Sequence, residues 1–184
     1  MALSTSHPGS AWRQAMRDYV LNTNESETDS AYLRRVGLKP SVLDLCGDCS
    51  GKQVLDIGSA DGWLRRELRA RTLVECDIVP PDSPSRPFVL CDAAALPFAR
   101  DSFDVVVSSF VIHHLPEDVQ RPALREMGRV LRPGGSLLVA EVPVGNDMGH
   151  PAPPLGEALA EAGFAEIRSG DVGRWIRCAR GRKG

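Results

Sequence analysis

The chain has 184 residues, 42% of them hydrophobic and 25% charged, and its formal net charge is −2. A chain of this length and composition is expected to fold as a globular protein with one core. The near-neutral charge argues against a nucleic-acid or membrane surface, and no apolar run reaches the length of a transmembrane helix.

Residues 1–49 are predicted to form a helical cap ahead of a domain that spans residues 50–184. The start of the chain lacks the basic patch and apolar core of a signal peptide, so we expect a cytoplasmic protein. Apolar side chains recur at helical spacing from Trp12 onwards, and a shorter helix is predicted near Tyr32.

Cys46 and Cys49 form a C-x-x-C pair at the end of this cap. The spacing suits a zinc knuckle or a redox pair, but no second pair of cysteines or histidines at ligand spacing accompanies it. We therefore predict no metal site here, and a helix end and turn that carry reduced thiols.

The stretch from Val54 to Leu64 combines a short apolar strand, a turn bounded by two glycines and the start of a helix. Such a turn presents backbone N–H groups to a cleft, and glycine allows a ligand to approach the backbone closely. The dinucleotide fingerprint would place glycines where Gly58, Ala60 and Trp63 stand, which fits a pyrophosphate poorly. The alternative is a structural turn without a ligand.

Two further strands are predicted, at residues 72–77 and 88–92, and each ends in an acidic residue. Asp77 lies about 20 residues beyond the glycine turn, where an acid can hold both hydroxyls of a ribose. Asp77 and Asp92 could instead only cap the elements that follow them. Four prolines within residues 78–87 exclude a regular helix between these strands.

The second half of the domain continues the alternation of strands and helices. An apolar, β-branched strand is predicted at residues 102–109, as expected for a central parallel strand, and it leads to His113 and His114. A helix at 117–131, ended by Arg-Pro-Gly-Gly, precedes a strand at 136–142. A last helix and two strands then follow, at residues 155–162, about 165–169 and about 174–179.

These elements predict an α/β fold, with a Rossmann-like, doubly wound sheet. We expect seven strands, mostly parallel, with an antiparallel hairpin at the C-terminus. One crossover helix, after the second strand, is predicted to be missing because of the prolines there.

Several spaced motifs together resemble the small-molecule branch of the class I S-adenosylmethionine (SAM)-dependent methyltransferases. The resemblance covers about residues 50–142 and departs from the acid-G-x-G-x-G pattern at one position, Ala60. The segments that carry it are Val54–Gly62, Asp77, Cys91–Ala93, Leu96–Phe98, Ser102–Asp104, Ile112–Leu115 and Leu131–Gly135.

The resemblance implies SAM as the cofactor and assigns a role to each strand end. Asp56 would lie near the amino group, Asp77 would hold the ribose diol, and Asp92 would accept from the adenine amine. The backbone carbonyl of Ser109 would face the amino group. The full set of implied cofactor residues is Asp56, Gly58, Ser59, Ala60, Gly62, Asp77, Ile78, Asp92, Ala93 and Ser109.

His113 and His114 are the predicted catalytic residues. The methyl group of SAM is already activated, so alignment with the acceptor supplies most of the rate, but an O or N acceptor must also lose a proton. Either histidine could act as the base at the mouth of the cleft, or could only pack against or cap the following helix. Glu141 is a weaker candidate.

The acceptor is predicted to be a small molecule of a biosynthetic pathway. The short 143–154 connection leaves the cleft without the cover usual in the family. The family's motif for planar amines is also absent after the fourth strand, which argues against a nucleic-acid amino group. Trp12, Tyr19 and Tyr32 are predicted to contact the acceptor, unless a second copy of the chain, in a homodimer, provides the cover.

Two other functions stay open. One is methylation of a protein or RNA with the help of a partner subunit. The other is a SAM-binding regulatory subunit without activity.

Overall fold

A computed structural model describes residues 38–60, 62–80, 87–141, 150–172 and 176–184. Over these residues, the strands are β1 (Cys49–Ile57), β2 (Ala70–Asp77), β3 (Phe88–Leu90), β4 (Phe103–Ser109), β5 (Leu131–Glu141), β6 (Phe164–Val172) and β7 (Ile176–Lys183). The helices are α1 (Leu38–Cys46), α2 (Trp63–Glu67), α3 (Glu117–Val130) and α4 (Leu155–Glu161), with a 3-10 turn at Ile112–His114. The aromatic residues of the predicted cap, Trp12, Tyr19 and Tyr32, lie outside the described residues.

The strands form one seven-stranded sheet in the order β3-β2-β1-β4-β5-β7-β6. Strands β1 to β5 are parallel, and β7 is antiparallel to both β5 and β6. This confirms the predicted Rossmann-like sheet and its C-terminal hairpin. The strand order reverses between β1 and β4, and ligands of such sheets bind at the carboxyl ends of the strands beside this switch point.

Helices cover both faces of the sheet. Leu124 and Met127 of α3 and Leu159 of α4 are buried on one face. On the other face, Val42 of α1 and Leu64 of α2 are buried. Helix α1 falls within the stretch predicted as cap, and it packs directly on the sheet.

Several element boundaries differ from the prediction, among them the start of β1 at Cys49 and the end of β7 at Lys183. Helix α2 is short and ends at Glu67, because Leu68 is already extended and β2 begins at Ala70. Strand β5 begins at Leu131, so the Arg-Pro-Gly-Gly stretch, predicted to end the preceding helix ahead of a strand at 136–142, lies within the strand itself. A register shift between Phe103 and Val105 of β4 accommodates it.

The connection from β2 to β3 follows the prediction where it is described, since residues 78–80 and 87 carry no helix.

Cys46 and Cys49 are buried free thiols, and burial raises the pKa of Cys46 to about 12. Within the described ranges, no group of three or more His, Cys, Asp or Glu residues could hold a metal ion. Nor does any helix in the described part of the chain have the length and hydropathy needed to cross a membrane.

Candidate active site

The turn after β1 has the backbone of a glycine-rich loop even where glycine is absent. Gly58 and Gly62 have φ angles of +70° and +68°, and Ala60 has a φ of +43°. The left-handed region costs an alanine about 1–2 kcal/mol, so Ala60 occupies a position that glycine would occupy without strain. The Gly58 N–H donates to the Cys76 carbonyl at 2.8 Å, which joins the turn to the end of β2.

Asp77, the last residue of β2, is bonded to the same turn. Its Oδ2 accepts from the Ala60 N–H at 3.1 Å. Its Oδ1 accepts from the N–H groups of Ile78 at 2.7 Å and Val79 at 3.3 Å. Burial raises the pKa of Asp77, and these three hydrogen bonds oppose the rise. The carboxylate therefore lies beside the glycine turn, at the carboxyl end of β2.

Asp92 lies two residues beyond the end of β3 and shapes the next loop. Its Oδ1 accepts from the Ala94 N–H at 2.9 Å, and its carbonyl accepts from the Ala95 N–H at 2.9 Å. The preceding Cys91 N–H donates to the Asp77 carbonyl at 2.8 Å. Asp92 thus caps its own turn, as the alternative interpretation predicts, and also lies next to Asp77.

The carboxyl ends of β1 and β4 complete this edge of the sheet. Asp56 is 3% exposed, and the neighbouring Ile57 pairs with Ser108 of β4. Ser59 and Ser109 each have a buried hydroxyl oxygen with no hydrogen-bond partner in the described part of the chain. Buried polar atoms are normally paired, so two orphaned hydroxyls at one edge indicate a place for a polar ligand.

The predicted cofactor residues are therefore brought together at the carboxyl edge of β1, β2 and β4 and in the loop after β3. The donors and acceptors there fit SAM. An acid lies beside the glycine turn, as a ribose site would require, and two buried hydroxyls lie at the same edge of the sheet.

The chain turns sharply after β4, at Phe110, whose φ of +58° is rare for a residue other than glycine. Glu141, at the end of β5 and 0% exposed, holds this turn. Its Oε1 accepts from the N–H groups of Val111 at 3.0 Å and Ile112 at 2.8 Å. Its Oε2 lies 2.6 Å from His113 Nδ1.

The two candidate histidines have different surroundings. His113 is 4% exposed and its ring points at Glu141. His114 is half-buried, and its ring centroid lies 4.0 Å from that of His113. The pairing of His113 with Glu141 was not predicted from the sequence. A carboxylate inside an otherwise apolar strand is a signal for such a partner, because an unpaired buried charge is costly.

Comparison with known proteins agrees with this geometry. Residues 55–139 match the family model described as a methyltransferase domain. A demethylmenaquinone methyltransferase from Renibacterium salmoninarum is 37% identical over 112 residues, which are 54% of this chain and 45% of the relative. The chain thus spans about half the length of the curated relatives it matches.

Solved structures share the fold over more of the chain. A 1,6-didemethyltoxoflavin-N1-methyltransferase from Burkholderia thailandensis, with bound 1,6-didemethyltoxoflavin and S-adenosylhomocysteine, has a TM-score of 0.71. It is 20% identical, and the match covers 100% of this chain and 92% of that chain. The cyclase SpnF has a TM-score of 0.60 at 21% identity, covering 82% of this chain and 80% of that chain.

The family match contains the Asp56–Gly58 end of β1, Asp77 and Asp92, the residues that meet at the carboxyl edge of the sheet. The structural matches reproduce the sheet that brings them together. Over residues 55–139 the chain therefore matches the methyltransferase domain model, and the described sheet has the fold of solved methyltransferases.

Proposed function

We propose that the protein transfers the methyl group of SAM to an O or N atom of a small-molecule acceptor in a cytoplasmic biosynthetic pathway. The observation that supports this most strongly is the hydrogen bond between Asp77 and the Ala60 N–H, because it combines a ribose-binding acid and a glycine-type turn at one edge. The relatives named for demethylmenaquinone and 1,6-didemethyltoxoflavin favour a small acceptor.

In this proposal, residues of the chain bind SAM and orient it toward the acceptor. Asp77 accepts hydrogen bonds from the two ribose hydroxyls, and Asp92 with the Ala93 N–H holds the adenine. Asp56 and the Ser109 carbonyl face the amino group. When bound, SAM supplies an electrophilic methyl group on its sulfonium, so alignment within about 3 Å of the acceptor atom is the main requirement on the protein.

We assign proton removal from the acceptor to His114, the more exposed of the two histidines. The substitution His114→Ala should lower turnover about 100-fold or more, the usual contribution of a general base, while the affinity for S-adenosylhomocysteine stays unchanged. Rates would be measured across about pH 6–9, where an imidazole titrates. His150→Ala, at an exposed histidine, is the matched control and should keep full turnover. If the His114 variant also keeps it, the base lies elsewhere.

We further propose that the N-terminal stretch contributes Trp12, Tyr19 and Tyr32 to the acceptor site. Aromatic faces suit both an apolar acceptor and a sulfonium cation. Deletion of residues 1–30 should abolish turnover and leave binding of S-adenosylhomocysteine intact, as measured by calorimetry. A fully active truncated protein would end this assignment, and a dimer detected by light scattering would favour a second chain as the cover.

A second candidate function is a role that uses the domain without methyl transfer. It is favoured by one observation, that a solved protein with this fold is named as a cyclase. Incubation with methyl-labelled SAM and fractionated cell extract separates the candidates. Label in the metabolite fraction supports the proposed function, and label in RNA or protein indicates a macromolecular acceptor. Absence of label, with binding retained, favours the second candidate.

A further inference from the structure

Glu141 is a fully buried carboxyl group at the end of an otherwise apolar stretch of β5. It ends β5 directly after Leu137, Leu138, Val139 and Ala140, and it is 0% exposed. A carboxylate taken out of water destabilises the fold unless charge-assisted hydrogen bonds compensate for its lost hydration. Three donors do so, the N–H groups of Val111 and Ile112 and the ring of His113. All three belong to the turn after β4.

The same turn is also hydrogen-bonded to His150, the first described residue after the 142–149 connection. The His150 N–H donates to the His113 carbonyl at 2.6 Å. Next to it, Gln120 Nε2 donates to the carbonyls of Leu115 at 3.1 Å and Pro151 at 3.2 Å. His113 therefore bonds residue 141 through its ring and residue 150 through its backbone, which are the two flanks of the 142–149 connection.

On its other side, the turn touches the glycine loop. A Cβ added at Gly58 would lie 2.2 Å from Val111 Cγ2, so the Val111 side chain occupies the space beside Gly58. The position of Val111 depends in turn on its N–H bond to Glu141. The Glu141 carboxylate thus holds a turn that contacts the glycine loop through Val111 and carries His114.

We propose that His113 and Glu141 are positioning residues, which act by fixing the 110–114 turn between the glycine loop and residue 150. Their role in catalysis rests on the proposed function, whereas their structural effect does not. His113 works through its Nδ1 bond to Glu141, and its nearly complete burial keeps the ring from acting as the base, since a base must reach the acceptor. His114, the more exposed of the two histidines, is left as the candidate base.

Two substitutions at His113 separate positioning from proton transfer. His113→Asn puts an amide nitrogen close to where Nδ1 was, so it keeps the donor to Glu141 and removes Nε2. His113→Ala removes both nitrogens. If His113 is a positioning residue, the asparagine variant should keep turnover within about threefold of the parent. The alanine variant should lose turnover by about tenfold or more. A base acting through Nε2 requires both variants to lose about 100-fold.

Hydrogen exchange provides a readout that does not depend on turnover. In His113→Ala, the amides of Val111, Ile112 and His150 should exchange about tenfold faster or more, because the turn loses the bond that fixes it. In His113→Asn they should exchange at the parent's rate. Glu141→Gln replaces the carboxylate by an amide, whose neutral hydrogen bonds to the turn are roughly half as strong. It serves as a second variant if His113→Ala does not fold, and the three amides should then exchange faster than in the parent; exchange at the parent's rate would count against the positioning role.

The proposal is overturned if His113→Asn loses turnover as fully as His113→Ala while exchange is unchanged, which would make His113 the base. It is also overturned if exchange at the three amides is unaffected in His113→Ala. If the parent protein transfers no methyl group, the proposed function fails, and the exchange measurements still decide the positioning role.

Discussion

The substitution Gly58→Ala should destabilise the protein by about 2–5 kcal/mol, as measured by denaturant unfolding. The backbone at Gly58 is left-handed, with a φ of +70°, which costs an alanine about 1–2 kcal/mol. In addition, the new Cβ would lie 2.2 Å from Val111 Cγ2. Such overpacking typically costs about 1–3 kcal/mol more, because a branched side chain between two turns cannot simply rotate away.

Two further variants separate the two causes. Gly47 has a φ of +63°, and a Cβ there meets nothing within 4 Å, so Gly47→Ala should show the backbone cost alone. The double variant Gly58→Ala with Val111→Ala removes the overlapping methyl and should be more stable than Gly58→Ala, although a small cavity is left. If Gly58→Ala is no more destabilising than Gly47→Ala, the two turns do not press on each other as described.

Asp77→Ala should weaken the binding of S-adenosylhomocysteine by about 1.5–3 kcal/mol, roughly 10- to 150-fold, the usual effect of losing charge-assisted hydrogen bonds. Calorimetry measures this directly. Asp104→Asn is the matched control, because Asp104 lies at the opposite end of β4, where it accepts from the Gln53 N–H at 2.8 Å and binds Arg132. Unchanged affinity in Asp77→Ala would remove Asp77 from the site.

The raised pKa of Asp77 predicts that the affinity for S-adenosylhomocysteine depends on pH. Burial raises the pKa of Asp77 above its ordinary value of 3.8, and only the carboxylate can accept from both ribose hydroxyls. Affinity should therefore fall as the pH drops through that raised pKa, before an ordinary aspartate would titrate. The folded state holds this proton more tightly than the unfolded state, so the stability contributed by protonated Asp77 is present at low pH and is lost as the pH rises. Affinity that stays constant in acid would contradict this assignment.

The doubly wound sheet and the acids at strand ends could be predicted because they follow from local patterns. Apolar runs of strand length alternate with helical patterns, and parallel strands bring their carboxyl ends to one edge. These two patterns are enough to predict that Asp56, Asp77 and Asp92 lie close together. The end of α2 could not be predicted in this way, because its position depends on β2. Arg65 of the helix bonds both Glu75 and the Leu73 carbonyl of that strand.

The Glu141–His113 pair depends on tertiary structure, since its members are 28 residues apart. Ser109 pairs with Ala140 in the sheet, so the turn after β4 begins beside Glu141, but this register is a property of the folded sheet and was not predicted. The left-handed conformation of Phe110 could not be predicted. Propensity favours glycine at such positions, and this conformation depends on the bonds that Glu141 makes with the turn.

We propose that SAM binds at the carboxyl edge of β1, β2 and β4, and an NMR titration would locate the binding site. Addition of S-adenosylhomocysteine should shift the amide signals of Gly58, Ala60, Ile78, Ala93 and Ser109 together, saturating as one site. Signals of Lys52 and Arg132, at the opposite edge of the sheet, should not move. A folded protein whose signals do not change, or change only at that opposite edge, would contradict the account.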